Sequence, residues 1–379
     1  MHWSTAPESD VSTQLLAATL RHLEALVAYD TQNPPRAIGP DGIFDYLTRQ
    51  LQGFHMELVN LGDGCVSLLA RRGKPRFLFN FHIDTVPADA GWASDPQRLI
   101  VTEERAIGLG ACDIKGASAC MLAAVEHAGG DVALLFTSDE EAGQSRCVRA
   151  FCGEQHAYEA VFVAEPTGAR AVLEHRGIIT CTGTFSGRAG HASSPTALED
   201  NALHHAVRWA ATAVDEATRA AQELHYRNLS GICFNVGVIE GGTKPNVIAS
   251  QASVRWGVRP LPNQDALAVL AGIQDCAPDA ARVSWQRGFF GPPLPALART
   301  SDDAQDVAPK ARALALELGL DVGEAVNFWT EASLFSEAGH TAIVYGPGDI
   351  AQAHTAGEWV ALEQLATVAA TYARLLQAV

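Results

Sequence analysis

The chain has 379 residues and a formal charge of −16 at pH 7, with 47% of its residues hydrophobic. That length exceeds a single compact core, so two domains are the default. The negative charge argues against nucleic acid and anionic membrane surfaces as partners, though not against a small anion held by a local Arg or Lys.

Eight cysteines are scattered without a CxxC pair. This pattern suits reduced thiols in the cytoplasm, each read as a small buried hydrophobe, rather than a disulfide framework. The sequence shows no basic-then-apolar leader and no apolar run of membrane-spanning length.

Residues 1–10 read as a loose start. Leu16, Leu20, Leu23 and Val27 then recur at helical spacing, and that helix stops before Asn33-Pro34-Pro35. A second helix carries Phe44, Leu47 and Leu51, and short strands follow at 57–60 and 66–70. Phe77, Leu78, Phe79 and Phe81 form a near-continuous apolar run leading to His82 and Asp84, with Pro87 as a stop. Such a run predicts a buried strand of a mostly parallel sheet. Ligands in these sheets sit beyond the carboxyl ends of the strands. Side chains two apart on an extended backbone point the same way. His82 and Asp84 therefore suit a metal ligand with its orienting partner, or simply a satisfied pair at a strand end.

The stretch "GLGACDIKGA" at 108–117 has neither dinucleotide spacing nor the Lys-Ser/Thr pair of a phosphate loop. Its glycines allow a tight turn that aims Asp113 into a site. A helix is expected from 117 to 128. The apolar strand 132–136 ends in Asp139-Glu140-Glu141, and the strand 158–164 ends in Glu165. Three adjacent carboxylates repel one another, and a bound cation would offset that.

Past Arg176-Gly177 the pattern alternates. A strand at 178–185 is followed by Gly190-His191 and a helix at 201–224. Strands at 232–239 and 252–259 are joined through 241–246, then come a helix with Leu267, Leu270 and Ile273 and a strand at 282–287. This is the ferredoxin-like order, so residues 178–290 read as an inserted domain within a first domain of 1–177 and 291–379. The first domain resumes with a helix at 306–318, a strand at 342–345, Gly346-Pro347-Gly348, His354, Glu358 and a closing helix. The expected fold class is α/β: a mixed, mostly parallel sheet flanked by helices, with an inserted α+β lid.

His82, Asp113, Glu140, Glu141, Glu165 and His354 gather at loop positions after strands. Two imidazoles and several carboxylates without a thiolate suit Zn²⁺, or Co²⁺ or Mn²⁺ in its place. The set is too rich for one tetrahedral ion and about right for two that share a carboxylate. Chemistry on a metal-bound water also needs a free carboxylate to move protons. Glu140 and Glu141 could divide those tasks, and spacing alone leaves open which does which.

In order, "HIDTVP", "GLGACDIKGA", "TSDEEAG", "AEPT", "GRAGHASSP" and "GPGDIAQAHTAGE" resemble the co-catalytic zinc peptidase and deacylase family over almost the whole chain. "WTEA", "VRPLPN" and "GPGDIAQAH" look most like its acetylornithine deacetylase branch, with its acetylcitrulline-cleaving relatives in arginine biosynthesis. The resemblance implies a zinc-exopeptidase-like fold and deacetylation of an N-acetyl amino acid. His82 and Glu165 would hold one ion, Glu141 and His354 the other, and Asp113 both. Asp84 would orient His82, and Glu140 would be the general base. A cis peptide is implied at Asp113–Ile114. His191 would stabilise the oxyanion, in many members from a partner subunit, which implies a homodimer through the inserted domain. Asn246 and Arg259 would hold the substrate carboxylate, with Gly346 in the same binding set. Lys244 stands where a smaller residue is expected, and contact with the substrate is its predicted use. Another aminoacylase, a desuccinylase, a dipeptidase or a carboxypeptidase of the same family, or a silent metal-binding relative, are the competing readings.

Overall fold

The apolar runs form one six-stranded sheet in the order His55–Asn60, Val66–Arg72, Val132–Thr137, Phe77–His82, Ala160–Val163, Thr341–Val344. The first two strands pair antiparallel, and Val66–Arg72 is also antiparallel to Val132–Thr137. The last four strands are mutually parallel, so their carboxyl ends share one edge. These four are buried almost throughout, which is why their sequences do not alternate.

This architecture comes from a computed structural model that describes residues 8–35, 38–296 and 304–377. Of the loose start expected over 1–10, residues 1–7 lie outside the described residues, and Glu8 already begins a helix.

The described chain divides into two compact units. The first comprises the sheet above and its helices; the second spans 174–304 and adds 324–329. The insertion expected at 178–290 lies inside this second unit.

In the first unit, helices Glu8–Val27, Lys115–His127 and Leu362–Gln377 pack against one another. The central one is rich in Gly, Ala, Ser and Cys and is buried around nearly its whole girth. Small side chains let its neighbours approach closely. Phe79 and Phe81 pack edge-on against Tyr372 of the closing helix. Strand alternation then turns Leu78, Asn80 and His82 to the other face.

The second unit holds a four-stranded antiparallel sheet in the order Cys233–Gly241, Gln251–Arg259, Ile178–Ser186, Val283–Gly291. Numbered along the chain, these are strands 2-3-1-4, the ferredoxin-like arrangement. Gln251–Arg259 alternates buried and exposed residues along its length, as a strand covered on one face does. Its covered face joins Trp209 of helix Ala202–Glu223. Trp209 packs 5.3 Å from Trp256 and 5.2 Å from Trp285, and its Nε1–H donates to the Ile273 carbonyl at 3.0 Å. Truncating a tryptophan so enclosed costs roughly 3–5 kcal/mol. Arg176 is fully buried. It binds the side chain of Asn327 and the carbonyls of Ser230, Gly231 and Arg259. Those bonds tie residues 324–329 to this unit.

The cysteines are not uniformly buried hydrophobes. Five are buried, Cys152 and Cys276 are half-buried, and Cys233 is exposed at the start of an edge strand. No helix among the described residues is long and apolar enough to cross a membrane.

Candidate active site

The parallel strands deliver the site in the first unit. His82 is the last residue of its strand, Glu140 and Glu141 follow Val132–Thr137, and Glu165 follows Ala160–Val163. Asp113 comes from the turn before helix Lys115–His127, and its peptide bond to Ile114 is cis. His354, with a φ of 59°, comes from the loop before strand Trp359–Ala361.

Two ligand groups form, each with ligand atoms within 4.8 Å of one another: His82, Asp113 and Glu165, and Asp113, Glu141 and His354. Asp113 is shared. Its Oδ1 lies 3.1 Å from His82 Nε2 and its Oδ2 lies 3.4 Å from His354 Nε2. Glu141 Oε1 is 3.0 Å from His354 Nε2, and Glu165 Oε1 is 4.0 Å from His82 Nε2. All five residues predicted as metal ligands are thus brought together.

The electrostatics are those of a cation site. Burial, helped by Glu141, pushes Glu140 well above the usual carboxylate range. Burial and the Asp113 charge do the same to Glu165. Glu141 is raised by burial, with Asp113 adding to it against the His354 hydrogen bond. Burial opposes charge on His82, but hydrogen bonds to Asp113 and Asp84 outweigh it and raise its pKa well above normal. The His354 ring, bonded to Asp113 and Glu141, is raised to about 10. In this arrangement protons do part of the neutralising that a divalent ion can do. Oxygen and imidazole donors gathered in two groups around one carboxylate fit Zn²⁺ or a similar ion.

Asp84 does more than face the His82 ring. The His82 Nδ1–H donates to the backbone carbonyl of Asp84 at 3.1 Å, while the nearest carboxylate oxygen is 3.7 Å away. Asp84 Oδ2 instead accepts from the Glu141 backbone N–H at 2.9 Å and from Asn33 Nδ2 at 3.4 Å. One residue therefore bonds to a member of each group.

The three consecutive carboxylates separate. Asp139 points away to accept the N–H groups of Arg146 and Cys147 at the start of helix Arg146–Cys152. These N–H groups partly offset the burial that raises its pKa, and Asp139 stands in neither ligand group. Only Glu140 and Glu141 remain for the site. Sequence reasoning also passed over Glu331, which is buried, and which burial with Asp139 nearby pushes to about 8.

His191, Lys244, Asn246 and Arg259 belong to the second unit. His191 pairs with Val247 in a short antiparallel ladder, and the Ala192 N–H donates to the Asn246 carbonyl at 3.0 Å. His191 Nδ1 is 2.7 Å from Ser193 Oγ. Lys244 is exposed in the adjoining loop. Arg259 lines a hollow of about 470 Å³ on the open sheet face, with Thr180, Cys233 and Asn235. Gly346, expected at the substrate, is in the first unit and buried, and a Cβ there would stand 2.6 Å from the Glu165 carbonyl. Its small size lets the chain pass beside the strand end that presents Glu165.

Among solved structures, the chain is similar to an M20 family metallo-carboxypeptidase, Sso-CP2, from Sulfolobus solfataricus. The TM-score is 0.72 at 17% identity, covering 95% of this chain and 98% of that one. It is also similar to the dipeptidase Dug1p from Saccharomyces cerevisiae, with a TM-score of 0.69 at 14% identity over 97% and 98% of the two chains. In sequence it is 51% identical to an N-acetyl-L-citrulline deacetylase of Xanthomonas campestris pv. campestris, over 93% of this chain and 96% of that protein. An acetylornithine deacetylase of Myxococcus xanthus is 30% identical over 95% and 97% of the two chains. The profile of Peptidase family M20/M25/M40 matches residues 78–378, the span that holds all five candidate ligands, and the chain belongs to that family.

Proposed function

We propose that this protein is a metal-dependent amidohydrolase that removes the acetyl group from an N²-acetyl-L-amino acid, N-acetyl-L-citrulline or N-acetyl-L-ornithine, releasing acetate. The observation that carries the reading is Asp113, one carboxylate set between two imidazoles, each with its own further carboxylate. The name of the relative at 51% identity supports acetylcitrulline as substrate, and that of the relative at 30% supports acetylornithine. Arginine biosynthesis is the corresponding setting.

His82 and Glu165 would hold one ion, Glu141 and His354 a second, and Asp113 both. Zn²⁺ suits these donors, with Co²⁺ or Mn²⁺ as substitutes. A bound ion supplies a Lewis acid and a lowered water pKa. Glu140 lies beside both groups and belongs to neither. Its raised pKa suits a carboxylate that takes a proton from water and returns it to the departing amine nitrogen. His191 would donate to the oxyanion, while Asn246 and Arg259 would hold the α-carboxylate, Arg259 through its two-pronged guanidinium. Asp84 would keep the His82 ring and the Glu141 backbone in place. We assign the protein to the cytoplasm as a homodimer joined through the second unit.

The test is hydrolysis of acetylcitrulline, acetylornithine and a dipeptide side by side with Zn²⁺ or Co²⁺ supplied. Acetylcitrulline is expected to give the largest kcat/KM. A dipeptide turned over faster than both acetyl amino acids would overturn the assignment, and no turnover of any of them would favour a silent relative. Lys244→Ala should raise KM for the preferred substrate about tenfold, as loss of one charged contact does. An unchanged KM would remove Lys244 from the binding set.

A further inference from the structure

The turn that carries Asp113 lies in neither helix nor strand, so its backbone N–H groups need partners from elsewhere. Three of them find the same one. Gly110 N–H donates to Glu358 Oε2 at 2.9 Å, and the N–H groups of Cys112 and Asp113 donate to Glu358 Oε1 at 2.8 and 2.9 Å. Glu358 is buried and lies more than 240 residues along the chain from all three. Its own backbone is fixed as well. Its carbonyl accepts from Gly108 N–H at 3.0 Å and its N–H donates to the Thr355 carbonyl at 3.2 Å. Thr355 follows His354 directly, and Trp359, next after Glu358, pairs with Ile107. One residue thus joins the turn of Asp113 to the loop of His354.

We propose that Glu358 is a positioning residue for the ion-binding groups: its carboxylate fixes the turn that sets Asp113 between the two imidazoles, and its backbone fixes the loop that brings His354 to them. The inference rests on the metal-site reading above. Asp113 belongs to both groups, so a shift in its backbone changes both at once. Groups that orient metal ligands are commonly worth about 10–100-fold in ion affinity. A carboxylate suits the task because it offers two acceptor oxygens and no donor. A glutamine of the same size cannot replace it. With its oxygen at one end the Gly110 N–H meets an NH₂ group, and with its oxygen at the other the N–H groups of Cys112 and Asp113 do.

The test is calorimetric titration of Zn²⁺ into the metal-free parent and the metal-free Glu358→Gln variant, with the visible spectrum of each Co²⁺ complex. The expected result is a loss of affinity of about tenfold or more and an altered Co²⁺ spectrum, with KM unchanged. A role confined to stability would lower the melting temperature of the metal-free chain and leave affinity and spectrum alone. A loss smaller than tenfold with an unchanged spectrum would therefore overturn the proposal. Should the variant fail to fold, amide hydrogen exchange of the metal-free parent decides: slow exchange at Gly110, Cys112 and Asp113 supports the proposal, and loop-like rates overturn it. A parent that binds no Zn²⁺ overturns the metal reading and this role together, whereas a parent and variant that bind equally overturn the role of Glu358 alone.

Discussion

His82 and Glu165 stand at the ends of buried strands, whereas His354 comes from a loop and turns about half of its side chain to solvent. The His82 side chain is 3% exposed and that of His354 is 52% exposed, although both rings reach for the same Asp113. Packing on every side holds the first group. The second depends on a loop and on Glu141, which Asp84 holds through the backbone. A rigid, desolvated group favours tight and slowly exchanging binding, while an exposed ligand opens a path for exchange and for substrate. The contrast would divide the proposed site into an anchoring half and an adaptable half.

The largest expected effect bears on both halves at once. Glu140→Gln should lower kcat by about 10²–10⁴-fold, with the ion content measured by atomic emission unchanged. Loss of ions in that variant would mean that Glu140 is a ligand and that the division of labour with Glu141 is wrong.

The next effect sharpens the contrast directly. His82→Ala should lose an ion while the fold survives, and it should lose more affinity than His354→Ala, by about tenfold. Full metal content and activity in the His82 variant would refute its place as a ligand, and equal losses in the two would erase the distinction between halves.

The smallest effect is a proton count. In the metal-free chain the folded pKa of His354, about 10, lies above the ordinary imidazole value of about 6.5. That proton therefore stabilises the metal-free fold fully below about 6.5, and the contribution fades as pH rises through about 10. An ion must displace the same proton, so affinity in the second group should rise with pH across that window. Calorimetry at pH 7.5 in buffers of different ionisation heat should show protons released on ion uptake. No release would indicate that the ring is already neutral.

Much of the site was legible because one rule repeats. A buried strand reads as an apolar run, and a polar residue just beyond it has little reason to be there except a site. His82, Glu141 and Glu165 follow that rule. Asp139 obeys it too and misleads, because the helix it caps begins several residues later and offers only backbone N–H groups, which no side-chain pattern reveals. Glu358 escaped for a related reason: its three partners are also backbone groups, distant in sequence. Gly346 was visible as a glycine but not as a close approach, which depends on the Glu165 strand lying beside it. The second unit was easier to read, since a sheet covered on one face writes its burial into alternate residues, as in Gln251–Arg259.

The indole cluster of the second unit gives it an optical signature of its own. Trp209, Trp256 and Trp285 lie with ring centroids 5.2–5.9 Å apart, close enough for their transitions to couple, and none of the proposed ion-binding residues belongs to that unit. The dichroism of these coupled indoles therefore follows the packing of the second unit, while ion uptake would report on the groups proposed in the first. A titration watched by both signals can distinguish a chain whose units melt together from one in which the first unit outlasts the second.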